Sequence, residues 1–244
     1  MGLKNYFIKK TEREGLLYSF VDATLFFIRK WFCYLKHGHF IRRYRIKKYI
    51  NGFETKKLHL GCGNNCLKGF LNSDIFGKVP VDITTRLPFN NRTFDLIYSS
   101  HVIEHIYLKE FKLFLSESYR ILKFGGTQII QTPSIEKVSM ILYDKKGEDR
   151  ELVLDYHKQY CLSEVCGSTY INDLLHLCFG HKYLYDFDLL SYLGKGVGYS
   201  EIIKVGNYCI PDSVISEKVF GNGKFWDLTT ESFLLKKGCE GVKK

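Results

Sequence analysis

Residues 58–63 read Leu-His-Leu-Gly-Cys-Gly, and this stretch decides the fold. An apolar strand that ends in Gly-x-Gly lets the backbone turn tightly and approach a ligand closely, because glycine has no Cβ. Asp74 ends a second short apolar stretch, eleven residues after Gly63. An acid at such a strand end can accept both hydroxyls of a ribose. The pattern predicts a nucleoside-containing cofactor at the carboxyl ends of parallel strands.

A dinucleotide is the first alternative for that cofactor. Its fingerprint is Gly-x-Gly-x-x-Gly with an acid about 20 residues further on. Here Cys66 takes the place of the third glycine, and Asp74 comes too early for a long helix to separate the two strands. The sequence also has no phosphate-binding loop of the Gly-x4-Gly-Lys-Ser/Thr type. Since a lone Gly-x-Gly also suits an ordinary tight turn, the neighbouring motifs must decide.

Further motifs follow in a fixed order along residues 57–133. They are Asn-Ser-Asp at 72–74, Leu-Pro-Phe at 87–89, Phe-Asp-Leu-Ile at 94–97, His-Val-Ile-Glu-His at 101–105 and Arg-Ile-Leu-Lys-Phe-Gly-Gly at 120–126. In this order they resemble class I S-adenosylmethionine-dependent methyltransferases of the type 11 group. Two features depart from the broader class: His59 stands where an acid is common, and the first crossover is too short for the usual helix. That short crossover resembles the branch that modifies surface polysaccharides and other glycans.

The resemblance implies an α/β fold, with a Rossmann-like, mostly parallel and doubly wound sheet. Alternating strand and helix patterns agree with it. Apolar recurrence at helical spacing predicts a helix over Leu108–Leu122, ended by Gly125 and Gly126. The expected strands are Lys57–Leu60, Phe70–Asp74, Val81–Ile83, Phe94–Ser99 and Thr127–Thr132, completed by Ile202–Val205 and Phe233–Lys236.

The same resemblance assigns the cofactor, S-adenosylmethionine, to particular positions. Asp74 would hold the ribose, Asp82 would accept from the adenine amino group, and Ile83 would lie against the ring. The backbone of 61–63 would pass beside the methionine part, and 99–101 would face the transferable methyl. The expected cofactor-binding residues are Gly61, Cys62, Gly63, Asp74, Ile75, Asp82, Ile83, Ser99 and Ser100.

Three histidines are candidates for the catalytic base. Methyl transfer to a hydroxyl requires an aligned nucleophile that loses its proton, and histidine titrates near neutrality. His101 and His105 share one face if their segment is helical, and His181 is a further candidate. Residues 101–105 also match the His-x-x-Glu-His of inverted zinc peptidases. Because the motif directly follows a strand in a methyltransferase-like order, we expect no zinc-peptidase site and assign no metal ligand; whether methyl transfer depends on a metal stays open.

The charge divides the chain into two parts. Residues 1–57 hold 14 Lys or Arg against 4 Asp or Glu, a net charge of +10, whereas residues 58–244 hold 22 of each. We therefore expect a basic, aromatic, helical extension over 1–56 and a methyltransferase domain over 57–244. Within that domain, 134–185 is expected to be an inserted segment that walls the acceptor side.

Three interpretations of the basic segment stay open. It is a helical cap packed on the core, an interfacial helix that makes peripheral membrane contact through residues 15–50, or a nucleic-acid-binding arm. No RNA- or DNA-binding motif favours the third. The apolar stretch 16–28 is too short to span a bilayer. Helix breaks are expected near Gly38 and Gly52.

The predicted function is methyl transfer to a hydroxyl of a sugar or glycan acceptor, in surface-polysaccharide synthesis. The alternatives are a methyltransferase for a lipid, quinone or other small metabolite, and a scaffold that keeps the fold without turnover. None of the eight cysteines forms a Cys-x-x-Cys pair, and nothing resembles a secretory signal peptide. Free thiols and a cytoplasmic, membrane-associated location are therefore expected.

Overall fold

A six-stranded β-sheet forms the centre of the protein, in a computed structural model that describes residues 21, 24–143, 148–160, 167–176, 180–206, 212–215 and 228–239. The strands are β1 (Lys57–Leu60), β2 (Phe70–Ser73), β3 (Phe94–Ser100), β4 (Leu122–Pro133), β5 (Tyr199–Val205) and β6 (Thr230–Lys237). The described helices are α1 (residues 24–37), α2 (His39–Gly52), α3 (Leu108–Ile121), α4 (Ile135–Tyr143), α5 (Glu148–Tyr160), α6 (Gly167–His176) and α7 (Phe187–Val197). A short 3₁₀ turn spans Ile103–His105.

The strands are ordered β2-β1-β3-β4-β6-β5 across the sheet. The first four in this order pair in parallel, and β6 is antiparallel to both β4 and β5. The expected mostly parallel α/β sheet is therefore confirmed. Ligands of such sheets bind beyond the carboxyl ends of the strands. At this edge β1, β2 and β3 end, at Leu60, Ser73 and Ser100.

Helix α3 closes the core on the sheet. Its residues Phe111, Phe114 and Leu115 are fully buried, because they recur at the spacing of one helical face. Burial of each such side chain contributes about 1.5–3 kcal/mol. The Glu110 carboxylate accepts a 2.8 Å hydrogen bond from the Tyr107 N–H and so caps the first turn. The predicted helix is confirmed, and it ends one residue before the predicted end.

The predicted strand Val81–Ile83 is wrong. The structure has a single bridge there, between Asp74 and Pro80. Pro80 has no N–H to donate to a ladder. Asp82 then directs its side chain to the backbone N–H of Thr84, which favours a turn over an extended strand. The chain therefore leaves the sheet edge directly after the bridge.

Gly125 and Gly126 do not end α3, as the sequence suggested, but lie inside β4. The helix stops because Leu122 is already extended and pairs with Phe94. The next pair joins Leu96 to Thr127, so β4 has more residues than β3 between these two pairs and forms a bulge. Gly125 has φ +71°, and a Cβ on Gly126 would lie 2.9 Å from the Lys123 carbonyl oxygen. The glycines are needed by this bulge.

The described part of the basic amino-terminal segment, from residue 24 onward, packs on the sheet edge as two helices. They are separated at Gly38 and end at Gly52, as expected. The hydroxyl of Tyr49 lies 2.9 Å from the carbonyl oxygen of Lys57 and 2.8 Å from that of Gly69. This buried side chain ties α2 to β1 and to the first crossover, which contains no helix.

The segment between β4 and α7 contains α4, α5 and α6. It departs from the sheet and returns at one point, because Ser134 and Tyr185 form an isolated parallel bridge. A small separate core of Val138, Val153, Leu154 and Tyr170 holds these helices together. The bounds proposed from the sequence, 134–185, remain a proposal, as does the role of this segment at the acceptor side.

Candidate active site

The glycine loop after β1 is held in a conformation that needs glycine. Gly61 has φ +69° and Gly63 has φ +48°, a region that side chains with a Cβ rarely adopt. A Cβ on Gly61 would also lie 2.3 Å from Cγ2 of Val102, whereas nothing lies within 4 Å of a Cβ on Gly63. The loop therefore touches the segment that follows β3 on one side and borders open space on the other.

Asp74 lies at the end of β2 and organises the glycine loop. Its Oδ2 accepts a 3.1 Å hydrogen bond from the Gly63 N–H, and its Oδ1 accepts a 3.0 Å bond from the Phe76 N–H. A carboxylate has about four acceptor sites, so each oxygen keeps one for a ligand. The expected loop and the expected acid are thus joined directly.

Asp82 follows closely, since the N–H of Val81 donates to the Asp74 carbonyl. Its Oδ1 accepts from the N–H and the hydroxyl of Thr84, at 3.0 and 2.7 Å. Its Oδ2 forms a 2.8 Å ion pair with Lys30 of α1. Burial, the largest single influence, favours the protonated acid, but the hydrogen bonds from Lys30 and Thr84 outweigh it and lower the pKa of Asp82. The group is an anion at neutral pH.

The other expected cofactor residues lie in the same region. Ile75 and Ile83 are half-buried and flank the two aspartates in the chain. Cys62 is buried, and its N–H donates to the carbonyl of Ser73 at 3.0 Å. Burial raises the pKa of the Cys62 thiol to about 12, with Cys66 adding to the effect. This thiol is therefore neutral and acts as a packing group.

The residues expected to face the transferable methyl group lie at the end of β3, at the same edge of the sheet. Ser99 is buried, and its hydroxyl has no hydrogen-bond partner among the described residues. Ser100 is half-buried and donates a 2.7 Å hydrogen bond to Oε1 of Gln131. His101 follows with φ +53°, a left-handed conformation, and its N–H donates to the Gln131 carbonyl. This conformation turns the chain sharply out of the sheet.

The three candidate bases gather around one carboxylate, Glu104. Nδ1 of His101 lies 3.1 Å from Oε1 of Glu104, whose side chain is fully buried. The rings of His105 and His181 pack edge to face, with centroids 4.9 Å apart. The N–H of Lys182 donates a 2.7 Å hydrogen bond to the Glu104 carbonyl. The structure thus brings His181 to the motif at 101–105.

The electrostatics of this cluster are set by burial. Burial is the largest influence on Glu104 and favours the neutral acid, but the His101 and His105 rings outweigh it and lower the pKa of Glu104. Burial lowers the pKa of His181 to about 4, against the attraction of Glu104. At neutral pH the cluster therefore holds a carboxylate and a neutral His181 imidazole.

Two contacts of this edge were missed by sequence reasoning. Lys30 reaches Asp82 from a helix whose register on the domain no local pattern reveals. Glu104 was treated as a neighbour of the histidines, although it is the group they surround; its place inside an apolar run was the available signal. His59, which replaces the usual acid, is buried. Its Nδ1 lies 3.2 Å from Oδ1 of Asn72, and the centroid of its ring lies 5.0 Å from that of the Tyr98 ring.

The residues at the sheet edge fit S-adenosylmethionine. Space lies open beside Gly63, Asp74 keeps unused acceptor sites toward it, and Asp82 presents a second carboxylate after the bridge. Two anionic groups beside a glycine turn are compatible with the hydroxyls and the amino group of an adenosine. The assignment of these residues to the cofactor stays a prediction.

A protein-family model described as a methyltransferase domain matches residues 75–130. The cofactor of this domain is S-adenosylmethionine. The match covers less than half of the chain, and it includes Asp82, Ser100 and His101 but not the glycine loop or Asp74. No protein of curated function matches the sequence.

Several solved structures are similar to the chain at low identity and low TM-score. A SAM-dependent methyltransferase from Archaeoglobus fulgidus is 16% identical, with 79% of this chain and 91% of that chain covered and a TM-score of 0.45. Phosphoethanolamine N-methyltransferase 2 of Haemonchus contortus is 16% identical, with 86% and 57% covered and a TM-score of 0.45. A possible histamine N-methyltransferase from Thermotoga maritima is 14% identical, with 88% and 94% covered and a TM-score of 0.45. At these values the similarities carry no information on the acceptor.

Proposed function

We propose that the protein transfers the methyl group of S-adenosylmethionine to a hydroxyl of a sugar or glycan acceptor, in surface-polysaccharide synthesis. The observation that carries the proposal is the buried Glu104 beside His101, at the strand end that adjoins the glycine loop. A carboxylate that orients an imidazole is the arrangement expected of a general base for a hydroxyl.

The chain's own residues would align the acceptor and accept its proton. Bound S-adenosylmethionine supplies a methyl group that its positive sulfur activates. Asp74 and Asp82 hold the adenosine half, and the turn at 61–63 leaves room for the methionine half. His101 takes the hydroxyl proton as the acceptor oxygen gains the methyl group. Glu104 keeps the imidazole ring in place and stabilises the imidazolium that forms.

The left-handed backbone of His101 supports this role. Strained conformations of residues other than glycine cluster at functional sites, because the surrounding structure must hold them. Here the hydrogen bond from the His101 N–H to the Gln131 carbonyl, at 2.9 Å, fixes the turn. His105 is exposed, and burial lowers the pKa of His181 to about 4, which makes His181 a weak base. His101 is therefore the favoured base of the three.

Turnover with sugar acceptors tests the proposal. We expect His101→Gln to lower kcat by about 10²- to 10⁴-fold with the S-adenosylmethionine Kd unchanged. His39→Gln, an exposed histidine of α2, is the matched control and should keep full activity. Methyl transfer to lipid or quinone acceptors but not to sugars would favour the small-metabolite alternative. Cofactor binding without turnover on any acceptor would favour the scaffold.

The exposed side of α1 supports an association with membranes, where a lipid-linked glycan acceptor would lie. Phe26, Arg29, Lys30 and Cys33 face the domain, through Phe76, Asp82 and the Gly77 carbonyl. The neighbouring helical stripe points away from it and is apolar. Its members are Phe27, Trp31, Tyr34 and Leu35, each 58–65% exposed.

We propose that this stripe lies in the interface of an anionic bilayer. Exposed Lys36, Arg43, Lys47 and Lys48 supply the complementary charge, at about 1 kcal/mol per cation near such a surface. Among the described residues, no helix has the length and apolar character that crossing a membrane requires. The association would therefore be peripheral.

Flotation with vesicles that contain anionic lipid tests this association. A variant with Phe27, Trp31 and Leu35 changed to Ser should lose most of its vesicle-bound fraction, and added salt should weaken the wild type. Tyr143→Ser is the matched control, because Tyr143 is 85% exposed on α4. Equal recovery of the wild type and the triple variant in the soluble fraction would contradict the proposal. It would favour the interpretation of the two helices as a cap packed on the core.

A further inference from the structure

Three side chains from two distant parts of the sequence converge beside the proposed base. Glu104, His105 and His181 each offer one ligand atom, and these atoms lie within 4.8 Å of one another. Atoms that share a tetrahedral Zn²⁺ at 2.0–2.2 Å lie about 3.3–3.5 Å apart. Side-chain adjustments of at most about 1.5 Å would bring the atoms to that spacing.

The backbone holds the two parts together. His105 directly follows Glu104 in the 3₁₀ turn after β3. The N–H groups of Lys182 and Tyr183 both donate to the Glu104 carbonyl, at 2.7 and 3.3 Å. Because these donors directly follow His181, its backbone is held beside the turn. Main-chain hydrogen bonds therefore join the two segments that carry the ligand atoms.

The buried carboxylate is the second, independent observation. Glu104 is fully buried, and no Lys or Arg of the described segments forms an ion pair with it. Thr132 donates a 3.2 Å hydrogen bond to Oε2, and Nδ1 of His101 lies 3.1 Å from Oε1, in a geometry that falls short of a standard hydrogen bond. Burying a carboxylate costs several kcal/mol unless a cation or donors compensate. A bound cation would add its charge to the compensation that Thr132 and the histidine rings provide.

We propose that Glu104, His105 and His181 bind one divalent cation of the zinc class. Two imidazoles and one carboxylate are ligands that Zn²⁺ and neighbouring transition metals prefer, whereas Mg²⁺ and Ca²⁺ prefer oxygen alone. Three protein ligands leave a coordination position open. The ligand set differs from that of the inverted peptidases, in which both histidines of the motif bind zinc, because here His181 joins His105.

The open position defines a role for the cation, and this role rests on the proposed function. An acceptor hydroxyl that binds the cation has a lowered pKa. His101 takes its proton, the oxygen forms a bond to the methyl carbon, and the carbon–sulfur bond breaks with its electron pair left on sulfur. The products are a methyl ether, S-adenosylhomocysteine and one proton. Cation binding itself needs neither cofactor nor acceptor.

Titration of the tag-free, full-length chain with Co²⁺ tests the site, because cobalt replaces zinc and is visible by its d–d absorption. We expect one Co²⁺ per chain, displaced by Zn²⁺, and no thiolate-to-cobalt charge-transfer band. His105→Ala removes a ligand itself and should weaken Co²⁺ binding by at least about 100-fold, the upper end of the loss seen when a partner that only orients a ligand is removed. This side chain is exposed, so its removal should leave the fold and the S-adenosylmethionine Kd unchanged.

Two controls make the outcome decisive. His39→Ala removes another exposed histidine and should bind Co²⁺ as the wild type does. Glu104→Gln keeps the shape of the buried side chain and should lose the cation. Absence of d–d bands, equal affinity of the wild type and His105→Ala, or a charge-transfer band from Cys62 or Cys66 would overturn the proposal. A wild-type protein that binds Co²⁺ but not S-adenosylmethionine would instead refute the proposed function without contradicting the cation site.

Discussion

The substitution Asp74→Asn tests the cofactor site at its centre. Each carboxylate oxygen of Asp74 accepts one backbone N–H, from Gly63 or Phe76, and keeps one acceptor site for a ribose hydroxyl. Asparagine removes one of these oxygens and the charge on the other. Hydrogen bonds to a charged group contribute about 1.5–3 kcal/mol each, so we expect a loss of about 2–4 kcal/mol in binding.

That loss corresponds to an increase of about 30- to 700-fold in the Kd for S-adenosylmethionine, at about 1.4 kcal/mol per tenfold. Isothermal titration calorimetry measures it directly. Asp188→Asn is the matched control, because this exposed acid of α7 lies outside the site. Denaturant unfolding of both variants separates lost affinity from lost structure. A Kd for Asp74→Asn within threefold of the wild type, in a folded protein, would refute the assignment of Asp74 to the ribose.

Three further outcomes follow from the packing. Gly61→Ala, whose Cβ would meet Val102 at 2.3 Å, should destabilise the protein by at least about 1 kcal/mol and weaken cofactor binding; unchanged unfolding and affinity would contradict this. The hydrogen bond from Arg120 is the main cause that lowers the pKa of Glu117 below its ordinary value. Glu117→Gln should therefore lower the free energy of unfolding at neutral pH, and the difference from the wild type should shrink as pH falls through the lowered pKa. A difference that denaturant unfolding finds constant with pH would refute this. Tyr185→Phe should leave stability unchanged or raise it by about 1 kcal/mol, because its buried hydroxyl has no partner in the described part of the chain; a thermal melt that shows clear destabilisation would refute it.

The regular elements could be predicted because local patterns define them. Strand β1 has the predicted bounds, and α3 differs by one residue at its end. The helical spacing of Phe111, Phe114 and Leu115 is a local property, so it predicts the helix without any knowledge of how the rest of the chain packs. The two late strands came from the family resemblance rather than from periodicity, and β5 and β6 occupy those positions. The structure adds that β6 lies between β4 and β5 and is antiparallel to both.

The two errors of secondary structure have a common cause. In both, a residue with a strong local preference had a second use that the sequence did not reveal. Pro80 and Asp82 make a turn where apolar neighbours suggested a strand, and Gly125 and Gly126 shape a bulge where they suggested a helix stop. Tertiary pairing decides such cases.

The sequence predicted which residues lie at the end of each strand, but not which residues of distant segments meet there. The acids and glycines lie at chain positions that a strand-turn pattern marks. The meeting of His181 with Glu104, and of Lys30 with Asp82, depends on how distant segments pack. No periodicity carries that information, so the histidine cluster became visible only with the structure.

A crystal structure of the chain with S-adenosylhomocysteine would show directly where the cofactor binds. We predict both ribose hydroxyls within hydrogen-bond distance of the Asp74 carboxylate, the adenine amino group at Asp82, and the sulfur facing His101 across the turn at 61–63. Density for the ligand elsewhere on the molecule, or an adenosine turned away from both carboxylates, would contradict it.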